Sequence, residues 1–164
     1  MLSKRPEVHR MSFSGKLLER GFWLYACLIS CGKEKAVYVG RTGDSSSPFA
    51  ASPFSRFGRH LDIRKNAKSN SMSRQIREGW GKEPAQCHYE VVAFGPIFLE
   101  QEGGFEQHKL YRDQVAALET ELAALFQEEA PELKLLGKHG KPNPDKINPL
   151  LSAQVRQVFH RAFG

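Results

Sequence analysis

Apolar residues recur along this chain in two rhythms, and the change from one to the other outlines the fold. Phe22 to Ser30 (FWLYACLIS) is an unbroken run of aromatic and branched residues after Gly21, ended by Cys31 and Gly32. Such a run predicts a buried strand. The polar stretch GKEK makes a turn, and Lys35 to Arg41 (KAVYVGR) predicts a second strand that pairs with the first as a hairpin. A turn-rich loop from Thr42 to Pro53 follows. Ser55 is placed to cap a helix through Phe57, His60, Leu61 and Arg64, and a second helix spans Ser71 to Glu78 until Gly79 and Gly81 stop it. His88 to Phe94 (HYEVVAF) alternates as a third strand, closed by Gly95 and Pro96.

From Phe105 to about Glu129 the rhythm becomes helical, with Tyr111, Val115, Leu118, Leu122, Leu125 and Phe126 on one face and Pro131 just beyond the end. Gly137 to Pro149 is loop by composition, and Leu150 to Phe163 predicts a last amphipathic helix through Leu151, Val155, Val158 and Phe159. Consecutive strands without a crossover helix pair antiparallel. The expected fold is therefore α+β, a small three-stranded antiparallel sheet flanked by helices, with an extra C-terminal helix. At 164 residues the chain suits one domain. Its core is placed at about residues 20–130, with an N-terminal extension over 1–19 and a C-terminal loop and helix over 137–164.

Charge adds a direction to this picture. The formal balance is +6, but the segregation says more. Seven basic and two acidic residues lie between Arg56 and Glu78, against nine acidic and two basic between Glu100 and Glu132. The basic stretch suits either a solvated helix face or contact with a polyanion. No apolar run is long enough to span a bilayer, and the start of the chain lacks the apolar centre of a secretory signal, so a cytoplasmic protein with no membrane partner is expected. Cys27, Cys31 and Cys87 form no disulfide framework, in keeping with reduced thiols. A zinc site from Cys27, Cys31, Cys87 and His88 is the less favoured alternative, because structural zinc ligands usually come in tighter pairs.

The candidate chemistry lies on the hairpin and the first helix. Tyr25 and Tyr38 stand on the two predicted strands, in the tripeptides Trp23-Leu24-Tyr25 and Tyr38-Val39-Gly40, with twelve residues between them. Arg56 and His60, four apart on a predicted helix, emerge on one face and can address a single phosphate. On the long helix, Glu119 and Glu121 flank the apolar stripe at similar angles, and helical geometry does not separate them.

This order of elements and side chains, over roughly Phe22 to Phe126, resembles the GIY-YIG nuclease family. The resemblance implies a divalent-metal-dependent endonuclease that hydrolyses phosphodiester bonds in DNA. It implies Arg56 on the scissile phosphate, His60 one turn on, and a helix-borne carboxylate holding Mg2+ or Mn2+. Leu118-Glu119 followed by Leu122 looks like the family pattern and favours Glu119 as catalytic residue and metal ligand. Glu121 remains the alternative. By the same resemblance a tyrosine serves as base. Tyr25 is preferred, with His60 receiving or relaying the proton and Tyr38 orienting the water or the phosphate. Gly40 would admit the substrate backbone. Arg41, Arg59, Lys65, Lys68, Arg74 and Arg77 would then meet phosphates of double-stranded DNA without reading sequence.

The chain departs from the family in having WLY as its first tripeptide and a long serine-rich loop before the helix. It also lacks an asparagine about a dozen residues past the glutamate, with Asn143 and Asn148 the later candidates. A noncatalytic nucleic-acid-binding module that keeps the fold is the alternative function.

Overall fold

The computed structural model describes residues 7–43, 49–100 and 104–164. Residues 1–6 of the N-terminal extension and the centre of the loop after the second strand lie outside them. Strands β1 (Gly21–Cys31) and β2 (Glu34–Arg41) form the expected hairpin, in register from Cys31 opposite Glu34 to Leu24 opposite Arg41. The turn places Gly32 at φ 63°, a left-handed conformation that glycine adopts without a Cβ penalty.

β3 (His88–Leu99) pairs antiparallel with the other edge of β1. It does not close at Gly95 and Pro96, as the sequence suggested, but runs on to Leu99 with a register shift opposite the stretch between Phe22 and Leu24. At the shift a Cβ on Gly95 would stand 3.0 Å from the Trp23 indole, so glycine keeps the strand going where another residue would crowd the ring.

The sheet is four-stranded and mixed rather than three-stranded and antiparallel, with order β3-β1-β2-β4. Its fourth strand, β4 (Lys134–Leu136), pairs parallel with β2, Ala36 opposite Lys134 and Tyr38 opposite Leu136. The helices between β2 and β4 provide the crossover a parallel pair needs, and β4 covers backbone groups that would otherwise form an open edge.

Helix α1 (Pro53–His60) starts from Ser52, not Ser55. The Ser52 hydroxyl accepts the Ser55 backbone N–H at 3.2 Å and Pro53 fills the first turn. The helix ends at His60, a turn short of Arg64. α2 (Ser71–Arg74) passes into a π-helical turn over Gln75–Gly79. α3 (Phe105–Glu129) and α4 (Pro149–Phe163) lie where the periodicity placed them.

Helices cover both faces of the sheet. On one face Phe22, Leu24, Ala26, Val37 and Val39 pack with Val115, Leu118 and Leu122 of α3 and Val155 and Phe159 of α4. On the other, Tyr25, Cys27, Ile29 and Ala36 pack with Met72, Ile76 and Leu136. This two-sided cover is why β1 reads as a continuous apolar run instead of an alternation. Each large apolar side chain so buried contributes about 1.5–3 kcal/mol. Among the described residues no helix is long and apolar enough to cross a membrane.

Candidate active site

The hairpin register sets the centre of the site. Tyr25 lies directly opposite Gly40, and a Cβ built on Gly40 would fall inside the Tyr25 phenol. The glycine therefore leaves room for the tyrosine ring, and it also lines the pocket described next. Gly40→Ala is expected to cost about 1–3 kcal/mol through overpacking, read as a lower urea midpoint with unchanged slope. An unchanged midpoint would show that the ring has another place to go.

Around this pair a pocket of about 200 Å³ is lined by Tyr25, Tyr38, Gly40, Arg41, Arg56, His60, Ser71 and Glu119. The five residues singled out as catalytic, Tyr25, Tyr38, Arg56, His60 and Glu119, are thus brought together from β1, β2, α1 and α3. Arg56 and His60 sit one turn apart on α1, whose Phe57 packs edge-on against the Tyr25 ring at 4.7 Å. The His60 imidazole, 3% exposed, stands edge-on to both phenols, at 6.4 Å from Tyr25 and 5.7 Å from Tyr38.

Two pocket residues play parts that sequence reasoning missed. Ser71 Oγ lies 3.0 Å from the Tyr38 hydroxyl and 3.2 Å from His60 Nδ1. The Arg41 Nε donates to Glu119 Oε2 at 2.8 Å, in an ion pair whose partners are 17% and 24% exposed. Ser71 reads in the sequence as an ordinary helix start. The Arg41 pairing joins residues far apart in the chain, and no local pattern signals it.

The two glutamates part company. Glu121 turns toward α4, where Ser152 Oγ donates to it at 2.6 Å and the Arg156 guanidinium at 2.9 Å. It does not line the pocket. Asn143 caps a short 3-10 turn by accepting the Asp145 N–H, and Asn148 caps α4 by accepting from Leu150; neither lines the pocket.

The basic residues also divide. Arg59, Lys65, Lys68 and Arg74 are exposed. Arg41 belongs to the pocket, and Arg77 is engaged by Glu83 at 2.9 Å and by the Ile63 carbonyl at 3.1 Å. No group of three His, Cys, Asp or Glu side chains among the described residues is arranged to hold a metal ion. Cys27 lies in the core and is not assembled with Cys31, Cys87 and His88 into a zinc site.

The two phenols differ in burial. Tyr25 is fully buried, and burial pushes its ionisation well above the ordinary tyrosine range. Tyr38 reinforces that effect, while the Arg56 guanidinium beside it pulls the other way without forming a well-aligned hydrogen bond. Burial likewise pushes the Cys27 thiol up to about 12.

A raised folded-state value means that the folded chain keeps protons the unfolded chain releases. The associated stability is complete below the unfolded values and is lost as pH rises through them toward the folded ones. The urea midpoint is expected to fall steadily as pH climbs past 9 and then 10, the ordinary thiol and phenol values. In Tyr25→Phe the fall above 10 is expected to be shallower. A midpoint flat through that range would contradict the burial argument.

Comparison with models of protein families, with curated proteins and with solved structures finds no match.

Proposed function

We propose that this protein is a divalent-metal-dependent endonuclease that hydrolyses phosphodiester bonds in DNA by a GIY-YIG-type mechanism. The observation that carries the reading is the shared pocket: two hairpin phenols, an arginine and a histidine one helical turn apart, and a glutamate from a distant helix all line it.

Phosphodiester hydrolysis needs charge neutralised on the phosphate, a water delivered in line, and a path for its proton. Arg56 presents a forked, permanently charged donor set that matches two phosphate oxygens. Arg41 adds a second guanidinium to the pocket lining. Glu119 is the one carboxylate among the described pocket residues. A magnesium-class ion takes few protein carboxylates, keeps several waters and shares phosphate oxygens, so this donor set fits Mg2+ or Mn2+ shared with substrate and does not fit an ion held by protein alone. When bound, such an ion would polarise the phosphate and stabilise the leaving oxygen.

Burial separates the roles of the tyrosines. Tyr25 is enclosed and resists ionisation, which suits a fixed neutral hydroxyl oriented beside Arg56. Tyr38 is half-buried and joined to His60 through Ser71. It is better placed to take the proton of the attacking water. Arg59, Lys65, Lys68 and Arg74 supply exposed positive charge on and after α1, which favours a polyanionic substrate and predicts binding that weakens with salt.

The ion pair between Arg41 and Glu119 favours the second reading, a noncatalytic nucleic-acid-binding module, because it already compensates the carboxylate. Incubating the pure protein with supercoiled, linear and branched DNA in magnesium, manganese or chelator separates the two. Cleavage that requires the metal supports the enzyme. Salt-sensitive binding with no cleavage under any condition would leave only the module.

A further inference from the structure

α2 reaches His60 twice. Ser73 Oγ donates to the His60 carbonyl at 3.2 Å, which ties down the end of α1, and Ser71 Oγ stands between His60 Nδ1 and the Tyr38 hydroxyl at 3.2 and 3.0 Å. Ser71 is not spent on capping: Asn70 holds the cap position of α2, and the Ser71 hydroxyl is turned to the phenol and the imidazole. A hydroxyl accepts one proton while donating another, so a serine between a phenol and a ring nitrogen can link them as a two-way bridge.

We propose that Ser71 is a positioning residue of this site, which holds His60 with Nδ1 as acceptor and passes to it the proton that Tyr38 gives up. The inference rests on the hydrolytic reading. As the water oxygen bonds to phosphorus and the bond from phosphorus to the leaving oxygen breaks, the water proton moves to the Tyr38 oxygen. The Tyr38 proton moves to Ser71 Oγ, and the Ser71 proton moves to His60 Nδ1. The leaving oxygen takes a proton from solvent water, and the resulting hydroxide later removes the proton from the imidazolium. Among the described pocket residues, the other charged or titratable groups are Tyr25 from β1, Arg41 from β2, Arg56 from α1 and Glu119 from α3.

The test compares wild type with Ser71→Ala, Ser71→Gly and Ser71→Thr on a DNA substrate, with parallel 15N NMR of the imidazole. The alanine and glycine variants are expected to lose about 10²-fold in kcat, the low end of general acid–base contributions, with KM little changed, and Ser71→Thr is expected to restore most of the rate. The His60 Nδ1 resonance is expected to lose its acceptor character in Ser71→Ala and keep it in Ser71→Thr. Two hydroxyl-free variants guard against a folding defect in one. Wild-type rates in both, or a threonine variant no faster than alanine, would overturn the relay, as would an unchanged imidazole spectrum. Should wild type itself cleave nothing, the hydrolytic reading fails and the relay with it, while the NMR comparison still decides whether Ser71 sets the ring's tautomer.

Discussion

Arg56→Ala is expected to lower kcat for phosphodiester cleavage by about 10²–10³-fold, the consequence of removing one preorganised donor aimed at developing charge, worth about 2.7–4 kcal/mol. Arg56 lies in the first half of α1, where its backbone N–H completes the turn begun at Ser52 and its side chain lines the pocket. The helix start persists without the guanidinium, because Ser52 and Pro53 make the cap. KM is therefore expected to change far less than kcat, since an interaction that strengthens in the transition state leaves ground-state binding nearly intact. Arg56→Lys keeps the charge but loses the planar fork and should recover only part of the rate. Steady-state cleavage measured beside urea unfolding separates catalysis from folding, and wild-type turnover by a folded Arg56→Ala protein would remove the arginine from the mechanism.

The two glutamates of α3 are expected to fail in opposite ways. Glu121→Ala takes away the buried acceptor of Ser152 and Arg156 and loosens α4 from α3. Breaking a buried pair costs about 3–5 kcal/mol, but Arg156 is 51% exposed and returns to water readily, so about 1–3 kcal/mol is the appropriate scale. That loss should appear as a melting temperature lower by several degrees, with cleavage per folded molecule retained. Glu119→Gln keeps an oxygen for the Arg41 Nε and should fold with nearly wild-type stability, yet it forfeits the anionic ligand and should abolish metal-dependent cleavage. The reverse pattern, a silent Glu119→Gln and an inactive but stable Glu121→Ala, would move the metal to the other flank of the helix and refute the pocket as the reaction site.

Sequence rhythm carried the hairpin, the third strand, the long helix and the last helix because each repeats its signal over many residues. Short elements had no such redundancy. β4 is three residues, Lys-Leu-Leu, with no alternation, and its existence depends on the edge of β2. The expected cap at Ser55 gave way to Ser52, because Pro53 is well placed only inside the first turn. Tyr25, Tyr38, Arg56 and His60 were singled out through the family resemblance, and hairpin and helix spacing helps bring them to one pocket. Helical geometry did not separate Glu119 from Glu121, and only the family resemblance favoured Glu119. Both sit beside the same apolar stripe, and what distinguishes them is whether Arg41 of β2 or Arg156 of α4 lies on that flank. Ser71 escaped because a lone serine at a helix start has a simpler local use.

The interlock between the Tyr25 ring and the bare backbone at position 40 ties two positions into one degree of freedom. Randomising both together and selecting for folded protein should return large-with-small combinations and exclude two bulky side chains. A change at either position would then be tolerated only after its counterpart had made space, so exploration of this part of the hairpin must proceed by paired steps.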